Sequence, residues 1–187
     1  MRHYPDGMSL TPNAPGDFLG KRVPTPSGKV QLAPEALLSR VSSLQKEYDR
    51  ELMSRDALKL IQKRERFSHN TWAHNVAEFV KGARNTNYLY MHPDDAAERG
   101  LSDGAHAKVS ANGHSIELPV KIDESLMLGA ICVPHGWGHQ QAEGLQIART
   151  TQGANVNIIM PDGPSALEPY SGMAHMNGVI ATVSATQ

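Results

Sequence analysis

Residues 105–122 carry the sequence AHAKVSANGHSIELPVKI, in which two alternating segments flank a turn signal. Apolar and polar side chains alternate over 105–111 and again over 114–122, which is the period of a half-buried strand. Asn112-Gly113 between them strongly signals a hairpin, because both residues tolerate the positive φ of a two-residue turn. The segment therefore predicts two antiparallel strands.

Short elements of the same kind lie on either side of this hairpin. Pro93 and the two aspartates behind it predict a short helix that ends at Gly100, where glycine takes the left-handed cap conformation. Residues 129–133 and 178–183 are apolar and predict two further strands. Short strands, one compact helix and many glycines favour a small closed barrel over an alternating parallel sheet.

The N-terminal part has a different character. Residues 1–33 are rich in proline and glycine and predict extended or looped chain. Pro34-Glu35 is a favourable helix start, and Ser54 is a candidate N-cap for a second helix over 58–63. Apolar residues between these points recur every three or four positions and predict an amphipathic helix with one buried stripe: Val41, Leu44, Tyr48 and Leu52.

Charge divides the chain near Arg66. Eight of the 18 basic residues lie between Arg40 and Arg66, whereas the stretch from Gly100 to residue 187 has only three basic residues and 11 of the 16 glycines. We therefore expect an extended and helical segment over 1–65, and a β-barrel domain over 66–187. A run of solvated charges of this kind predicts no chemistry in the helical part.

Composition excludes several classes of protein. The 187 residues suit one ordinary domain with an extension, and a net charge of −1 predicts no general attraction to nucleic acid. A single cysteine, Cys132, excludes an internal disulfide and a multi-thiolate metal site. Neither a membrane span nor a secretion signal is recognisable, so a cytoplasmic location is expected.

The common chemical motifs do not occur. The sequence has no glycine-rich phosphate loop ending in lysine, no GxGxxG after a strand and no HExxH. His135 and His139 are four apart, but the glycines between them disfavour a shared helix face, so we predict hydrogen-bonded or surface histidines and no metal site. Cys132 lies in an apolar strand and is expected to be an inert core thiol.

Neutral polar side chains concentrate instead in a few glycine-flanked segments. Residues 68–75 (SHNTWAHN) and 134–140 (PHGWGHQ) are the densest, and Asn155 and Asn177 follow later in the chain. Amides, hydroxyls and imidazoles in loops suit recognition of a large polar ligand with heterocyclic and phosphate groups. The alternative, that such residues only satisfy turn backbones, accounts for many asparagines but less well for the whole set.

The order of these segments resembles the C-terminal molybdopterin-dinucleotide-binding domain of the dimethyl sulfoxide reductase (molybdopterin oxidoreductase) family, and members of the formate dehydrogenase or nitrate reductase kind in particular. The motifs that carry the resemblance are TPSGKVQLAPE (25–35), HNTWAHN (69–75), HPDDAAERGLSDG (92–104), VPHGWGH (133–139), GANVN (153–157) and SG…NGV (171–179).

The resemblance implies a double-psi β-barrel, the fold of the aspartate decarboxylases, and a cofactor, molybdopterin guanine dinucleotide, whose molybdenum or tungsten is held by the pterin dithiolene. It implies that the loop 69–75 contacts pterin and pyrophosphate, that two residues after a strand line the pterin, that Asn155 bonds the ring edge and that Asn177 makes a last polar contact. The cofactor-binding residues so implied are His69, Asn70, Thr71, Trp72, His74, Asn75, His135, Gly136, Asn155 and Asn177.

The same resemblance implies that the iron–sulfur segment, the metal-ligating residue and the substrate funnel belong to other parts of such an enzyme. The chain is then expected to partner the remaining domains or subunits of a molybdoenzyme and to lack turnover alone, with self-association through its exposed apolar faces. A pyruvoyl-dependent decarboxylase is disfavoured because no Gly-Ser pair is present for cleavage. The alternative function is a cofactor-free interaction module, or a split subunit, that has kept the barrel.

Overall fold

A computed structural model describes residues 3, 7–8, 16, 21–68, 71–168 and 171–186. The chain forms two compact units, Met1–Leu52 and Met53–Gln187. The first unit contains the helix α1 (Glu35–Leu38), a 3-10 turn at Val41–Ser43 and most of α2 (Leu44–Met53).

The apolar stripe predicted for this helical segment is not buried. Its four side chains are 45–59% exposed, so the prediction of a buried stripe is wrong for the described residues: Val41, Leu44, Tyr48 and Leu52. The helix itself begins at Leu44, because the turn before it is a tighter 3-10 turn. Arg40 and Ser43 both bond Glu47 across this junction, at 2.9 and 3.0 Å.

The second unit is a closed six-stranded barrel. Its strands lie in the order β1-β5-β2-β4-β3-β6 around the barrel, and β6 pairs with β1 to close it. The strands are β1 (Leu58–Lys63), β2 (Leu89–Met91), β3 (His106–Ala111), β4 (His114–Ile122), β5 (Ala130–Pro134) and β6 (Val179–Ala185).

Two strand pairs are parallel and the other four are antiparallel. β1 runs parallel to β5, with Leu60 opposite Ile131, and β2 runs parallel to β4, with Leu89 opposite Val120. Parallel neighbours cannot be joined by a hairpin, so long crossing connections tie the barrel together. This confirms the predicted mainly β fold with a closed barrel.

The β3–β4 hairpin is confirmed. Its turn residues have positive φ angles, 51° at Asn112 and 80° at Gly113, as a two-residue hairpin turn requires. The short helix is confirmed as well: α3 (Pro93–Ala97) begins with its proline at N1, and the chain reverses at Gly100 with φ 65°. The predicted strands over 129–133 and 178–183 correspond to β5 and β6.

The helix predicted over 58–63 is wrong, because this segment is strand β1. Leu58 and Leu60 point into the core, 3% and 0% exposed, which is the alternation of a strand. Ser54 does not cap a helix here; its hydroxyl accepts from Lys59 Nζ at 3.0 Å. Pairing with β5 on one side and β6 on the other overrides the local helical preference. The barrel therefore begins before the predicted boundary at residue 66.

The core fills the barrel and extends beneath one 3-10 turn. Alternate residues of every strand point inward, and the largest fully buried side chains include Leu60, Leu89, Met91, Leu118 and Ile131. Val156 and Ile159, in the turn Val156–Ile159, join the same cluster. The remaining 3-10 turns are Thr71–Asn75, Ala77–Phe79, Gly82–Arg84, Ala148–Thr150 and Pro164–Ala166.

Candidate functional site

The candidate site lies where β1 and β5 end. Because the two strands are parallel, their following loops emerge at the same end of the barrel, and His135 N donates to Lys63 O at 3.2 Å. The segment before β6 reaches the same end, since Asn177 Oδ1 accepts from Gln62 N at 2.7 Å. Three stretches rich in neutral polar residues thus meet at one end of the barrel. We call this end the rim, and it comprises residues 62–68, 71–75 and 134–140 together with Asn177.

Two glycines let these stretches approach closely. Gly136 and Gly138 have φ angles of 92° and 98°, which L side chains rarely adopt. A Cβ on Gly136 would lie 2.6 Å from Thr71 Cγ2, and one on Gly138 would lie 2.5 Å from Asn155 Cβ. The loop after β5 therefore packs between the 3-10 turn that follows β1 and the Asn155 segment.

A pair of histidines forms the centre of the rim. His74 Nδ1 lies 3.1 Å from His139 Nε2, which lies 2.8 Å from the carbonyl oxygen of Gly136. A carbonyl only accepts, so His139 Nε2 carries a hydrogen and His74 Nδ1 is the acceptor. The neutral His74 ring therefore carries its own hydrogen on Nε2, as a donor.

His74 is uncharged at neutral pH. Its side chain is 1% exposed and stacks at 4.1 Å between ring centroids on Trp137. Burial, together with the neighbouring His139, lowers the pKa of His74 from 6.5 to about 4. The site therefore presents a neutral N–H donor here and not a cation.

Buried polar side-chain atoms without a hydrogen-bond partner are gathered at this rim. In the part of the chain that the structure describes, there are five such atoms, and we call them the unpartnered set: Gln62 Nε2, Ser68 Oγ, His74 Nε2, His135 Nδ1 and Trp137 Nε1. All five belong to the last residues of β1 or to the loops after β1 and β5. Buried polar atoms are normally paired, and each one left unpaired costs about 1–3 kcal/mol.

The other predicted site residues differ in whether their side chains are hydrogen-bonded within the chain or exposed. Asn75 Oδ1 accepts from the backbone of Ile147 and Ala148, and Asn155 Oδ1 accepts from Asn157 N, so these oxygens are engaged within the chain. Trp72 is 79% exposed beside the rim. His69 and Asn70 lie outside the described residues.

These residues adjoin one another but do not share one cavity. His74 lines a cavity of about 450 Å³, together with Ser68 and Trp137. Asn155 lines a different one of about 500 Å³, next to Gly138 and a group of glutamines. The rim therefore separates a lateral pocket from an amide-lined one.

Sequence reasoning missed three members of the unpartnered set. Ser68 and Trp137 stand within the polar segments already noted, but nothing in their local pattern distinguishes an unpaired side chain from a paired one. Gln62 lies on the core-facing register of β1, two positions after Leu60, and a polar residue on that face is the signal that could have identified it.

Neither a metal site nor a reactive thiol emerges from these residues. Cys132 is buried, and desolvation raises the pKa of its thiol, as expected of an inert core cysteine. Within residues 21–68, 71–168 and 171–186, no three histidine, cysteine or acidic side chains are placed to hold a metal ion. No helix of that part is both long and apolar enough to cross a bilayer.

A closed barrel with an unpaired polar rim defines a ligand-binding domain, and comparison with known proteins gives its family. The family model described as "Molydopterin dinucleotide binding domain" matches residues 58–180. The chain belongs to this molybdopterin dinucleotide-binding family, which confirms the resemblance. The predicted cofactor, molybdopterin guanine dinucleotide, is a dinucleotide of that class.

Two relatives match part of the barrel. The chain is 33% identical over 69 residues to the respiratory nitrate reductase subunit alpha of Haloferax mediterranei, and 31% identical over 72 residues to a dimethyl sulfoxide/trimethylamine N-oxide reductase of Rhodobacter capsulatus. These matches span 37% and 38% of this chain but 7% and 9% of the relatives. The similarity therefore concerns one domain of much larger molybdoenzymes.

A solved structure shares the fold. Acetylene hydratase from Pelobacter acetylenicus superposes with a TM-score of 0.64 at 23% identity, over 87% of this chain and 24% of that one. The chain spans about a quarter of that enzyme, so the match supports the barrel architecture alone.

Proposed function

We propose that the rim holds the pterin and pyrophosphate groups of molybdopterin guanine dinucleotide, and that the chain acts as the cofactor-binding domain of a cytoplasmic oxidoreductase. The remaining domains or subunits of that molybdoenzyme would be its partners, and the chain would lack turnover alone. When bound, the cofactor supplies the two-electron chemistry. The residues of this chain bind and orient it.

The unpartnered set is the observation that carries this proposal. Trp137 Nε1, Gln62 Nε2 and His74 Nε2 are donors, while Ser68 Oγ and His135 Nδ1 donate or accept according to their hydrogen position. Pterin carbonyl and pyrophosphate oxygens are acceptors, so a donor-rich rim matches them. A neutral rim also agrees with the lowered pKa of His74, since that ring donates without carrying charge.

Binding must open the rim slightly. Each unpartnered atom is almost wholly shielded from solvent by the loops after β1 and β5. We therefore propose that these loops separate when the cofactor enters, and that each donor then pairs with a ligand oxygen. The cost already present in the unliganded chain is relieved in the complex, which favours the bound state.

The proposal is tested by titrating the full chain with the cofactor released anaerobically from a molybdoenzyme, while the backbone amide signals are followed by NMR. We expect shifts confined to the loops after β1 and β5 and to the segment before β6. The variant His135→Phe should weaken binding about tenfold, the equivalent of one hydrogen bond. His114→Phe, at an exposed histidine in β4, is the matched control and should bind as the parent does.

Two results would contradict the proposal. One is the absence of amide shifts at millimolar cofactor in a folded chain, which would favour the cofactor-free interaction module. The other is an equal loss of affinity in His135→Phe and His114→Phe, which would mean that the rim is not the contact surface.

A further inference from the structure

A fully buried amide side chain joins two segments of the chain beside the rim. Asn87, two residues before β2, is 0% exposed. Its Nδ2 donates to the carbonyl oxygens of Pro134 and Ala154 at 2.9 and 3.0 Å, and its Oδ1 accepts from Ala154 N at 2.9 Å. Both amide hydrogens are therefore in use, and one side chain connects the end of β5 to a segment much later in the chain.

That later segment, residues 151–155, has neither helical nor strand conformation and is held by side-chain amides. Two amides besides Asn87 bond it, through three further hydrogen bonds: Gln152 N to Asn85 Oδ1 at 3.1 Å, and Gln140 Nε2 to the carbonyl oxygens of Thr151 and Gly153 at 3.1 and 2.9 Å. Between the described stretches 134–140 and 151–155, no backbone hydrogen bond runs directly from one to the other. Side-chain amides, and not a strand ladder, therefore set the spacing between these two stretches.

Sequence neighbours and close packing carry this spacing to the rim. Pro134 is followed directly by His135, whose Nδ1 belongs to the unpartnered set. Gly153 lies against the indole of Trp137, because a Cβ at Gly153 would overlap atoms of that side chain. A displacement of residues 151–155 would therefore displace the indole as well. Two atoms of the unpartnered set thus depend on the same buried amide: His135 Nδ1 and Trp137 Nε1.

The supporting amide and the rim differ in their hydrogen bonding. Asn87 has both of its hydrogens and its oxygen paired with backbone groups, whereas the five atoms of the unpartnered set have no partner within the chain. A buried amide with both hydrogens in use has no donor left for a ligand, so Asn87 is not placed to contact the cofactor. Groups of this kind hold the contact residues of a site in the geometry that binding needs.

We infer that Asn87 is a positioning residue for the cofactor: by joining the end of β5 to residues 151–155, it holds the imidazole of His135 and the indole of Trp137 in the orientation that binding requires. The inference rests on the proposed function, because the orientation of these groups matters only if the rim is the contact surface. Without the amide, both side chains would have to be ordered when the cofactor binds. Affinity should therefore fall even in chains that remain folded.

The test compares Asn87→Ala with Asn112→Ala in the full chain. Both substitutions remove an amide that donates to a backbone carbonyl far away in sequence; Asn112 Nδ2 donates to Ile159 O at 2.9 Å, at the hairpin turn outside the rim. Cofactor affinity is measured by the NMR titration given above, and thermal unfolding gives the folded fraction of each variant. We expect Asn87→Ala to bind about tenfold more weakly than the parent, and Asn112→Ala to bind as the parent does.

A second readout, in the unliganded chain, separates positioning from a loss of stability alone. Asn87→Ala should move the backbone amide signal of His135 and the indole N–H signal of Trp137 together, and Asn112→Ala should leave both in place. Hydrogen exchange at Ala154 N should become faster only in Asn87→Ala, since that N–H loses its acceptor. Gln140→Ala, at an exposed side chain that bonds the same segment, should show the same pattern more weakly and serves if Asn87→Ala does not fold.

The outcomes distinguish this inference from the proposed function. Binding by the parent, with equal affinity in folded Asn87→Ala, would overturn the inference and leave the proposed function standing. Equal losses of affinity in Asn87→Ala and Asn112→Ala would also overturn it, because affinity would then follow stability alone. Unchanged signals of His135 and Trp137 in folded Asn87→Ala would overturn it whether or not the cofactor binds. Failure of the parent itself to bind would contradict the proposed function, and the inference with it.

Discussion

The β3–β4 hairpin and the rim at the ends of β1 and β5 belong to one barrel, yet they differ in whether their polar side chains have hydrogen-bond partners within the chain. At the hairpin turn, Asn112 Nδ2 donates to the carbonyl oxygen of Ile159 at 2.9 Å, and Gly113 has open space around it. At the rim, five buried atoms have no partner, and Gly136 and Gly138 are pressed against neighbouring side chains. The Asn112 side chain at the hairpin is paired within the chain, whereas the five atoms at the rim are not.

The largest effect on stability is expected at the rim glycines, because their positive φ angles and close neighbours leave no room for a Cβ. Gly138→Ala would place a Cβ 2.5 Å from Asn155 Cβ on backbone with φ of 98°. Strain and overpacking together should lower the free energy of unfolding by about 3 kcal/mol or more. Urea denaturation measures the change. Gly144→Ala, where a Cβ has open space, is the control and should stay within about 0.5 kcal/mol of the parent. Similar losses in both variants would mean that the loss at Gly138 does not come from contact with Asn155.

The next effect is a pH dependence centred on His74. Its pKa is about 4 in the folded chain and 6.5 when unperturbed, so the unfolded state takes up the proton first as the pH falls. The contribution of neutral His74 to the free energy of unfolding is therefore fully present above pH 6.5. About 3 kcal/mol of it is lost as the pH falls from about 6.5 to 4. Urea midpoints measured across this range would show it.

The matched variants for that pH dependence are His74→Phe and His114→Gln. His74→Phe should flatten the pH dependence, because no imidazole remains to be protonated at the buried position. His114→Gln should leave it unchanged, since His114 is exposed on β4. A slope that survives in His74→Phe would assign the effect to other groups.

A smaller effect is expected at the hairpin turn. Asn112→Ala places an alanine at φ of 51° and removes the bond to Ile159, which together should cost about 2 kcal/mol. Asn112→Gly removes the bond but tolerates the positive φ, so its loss should be smaller. Thermal unfolding of both variants separates the two contributions; a larger loss for the glycine variant would contradict the assignment of strain to the backbone.

The same comparison shows what could be predicted from sequence. The hairpin follows from alternation and an Asn-Gly pair, which are local signals, and the short helix after Pro93 follows from its proline and aspartates. Strand β1 could not be identified in this way, because the sequence LKLIQK becomes a strand only through β5 and β6, which lie far along the chain. The local pattern favours a helix over 58–63, but pairing with distant strands determines the conformation of this segment.

Site residues show the same limit. The polar segments 68–75 and 134–140 were recognised, and the structure brings Thr71, His74 and Gly136 together. The structure also engages the amide oxygens of Asn75 and Asn155 with backbone donors, as the turn alternative predicted for such residues. Whether a side chain is buried without a partner depends on packing in three dimensions, which no local pattern encodes.

The last prediction compares the removal of an unpaired buried polar atom with the removal of a paired one. The expected changes in the free energy of unfolding are small, and the direction of each change is what tests the comparison. Ser68→Ala removes the unpartnered Oγ of a side chain that is 4% exposed and loses almost no packing volume, so the free energy of unfolding should stay the same or rise by up to about 1 kcal/mol. Thr151→Val removes a buried hydroxyl that donates to the carbonyl oxygen of Ala148 at 2.7 Å, and should lose about 1 kcal/mol. Urea denaturation of the unliganded chain measures both. The same Ser68→Ala variant should bind the cofactor about tenfold more weakly, because the hydroxyl acquires its partner only in the complex. Equal destabilisation by the two substitutions would show that the Ser68 hydroxyl already has a partner in the unliganded chain, and the contrast between hairpin and rim would then lose its basis.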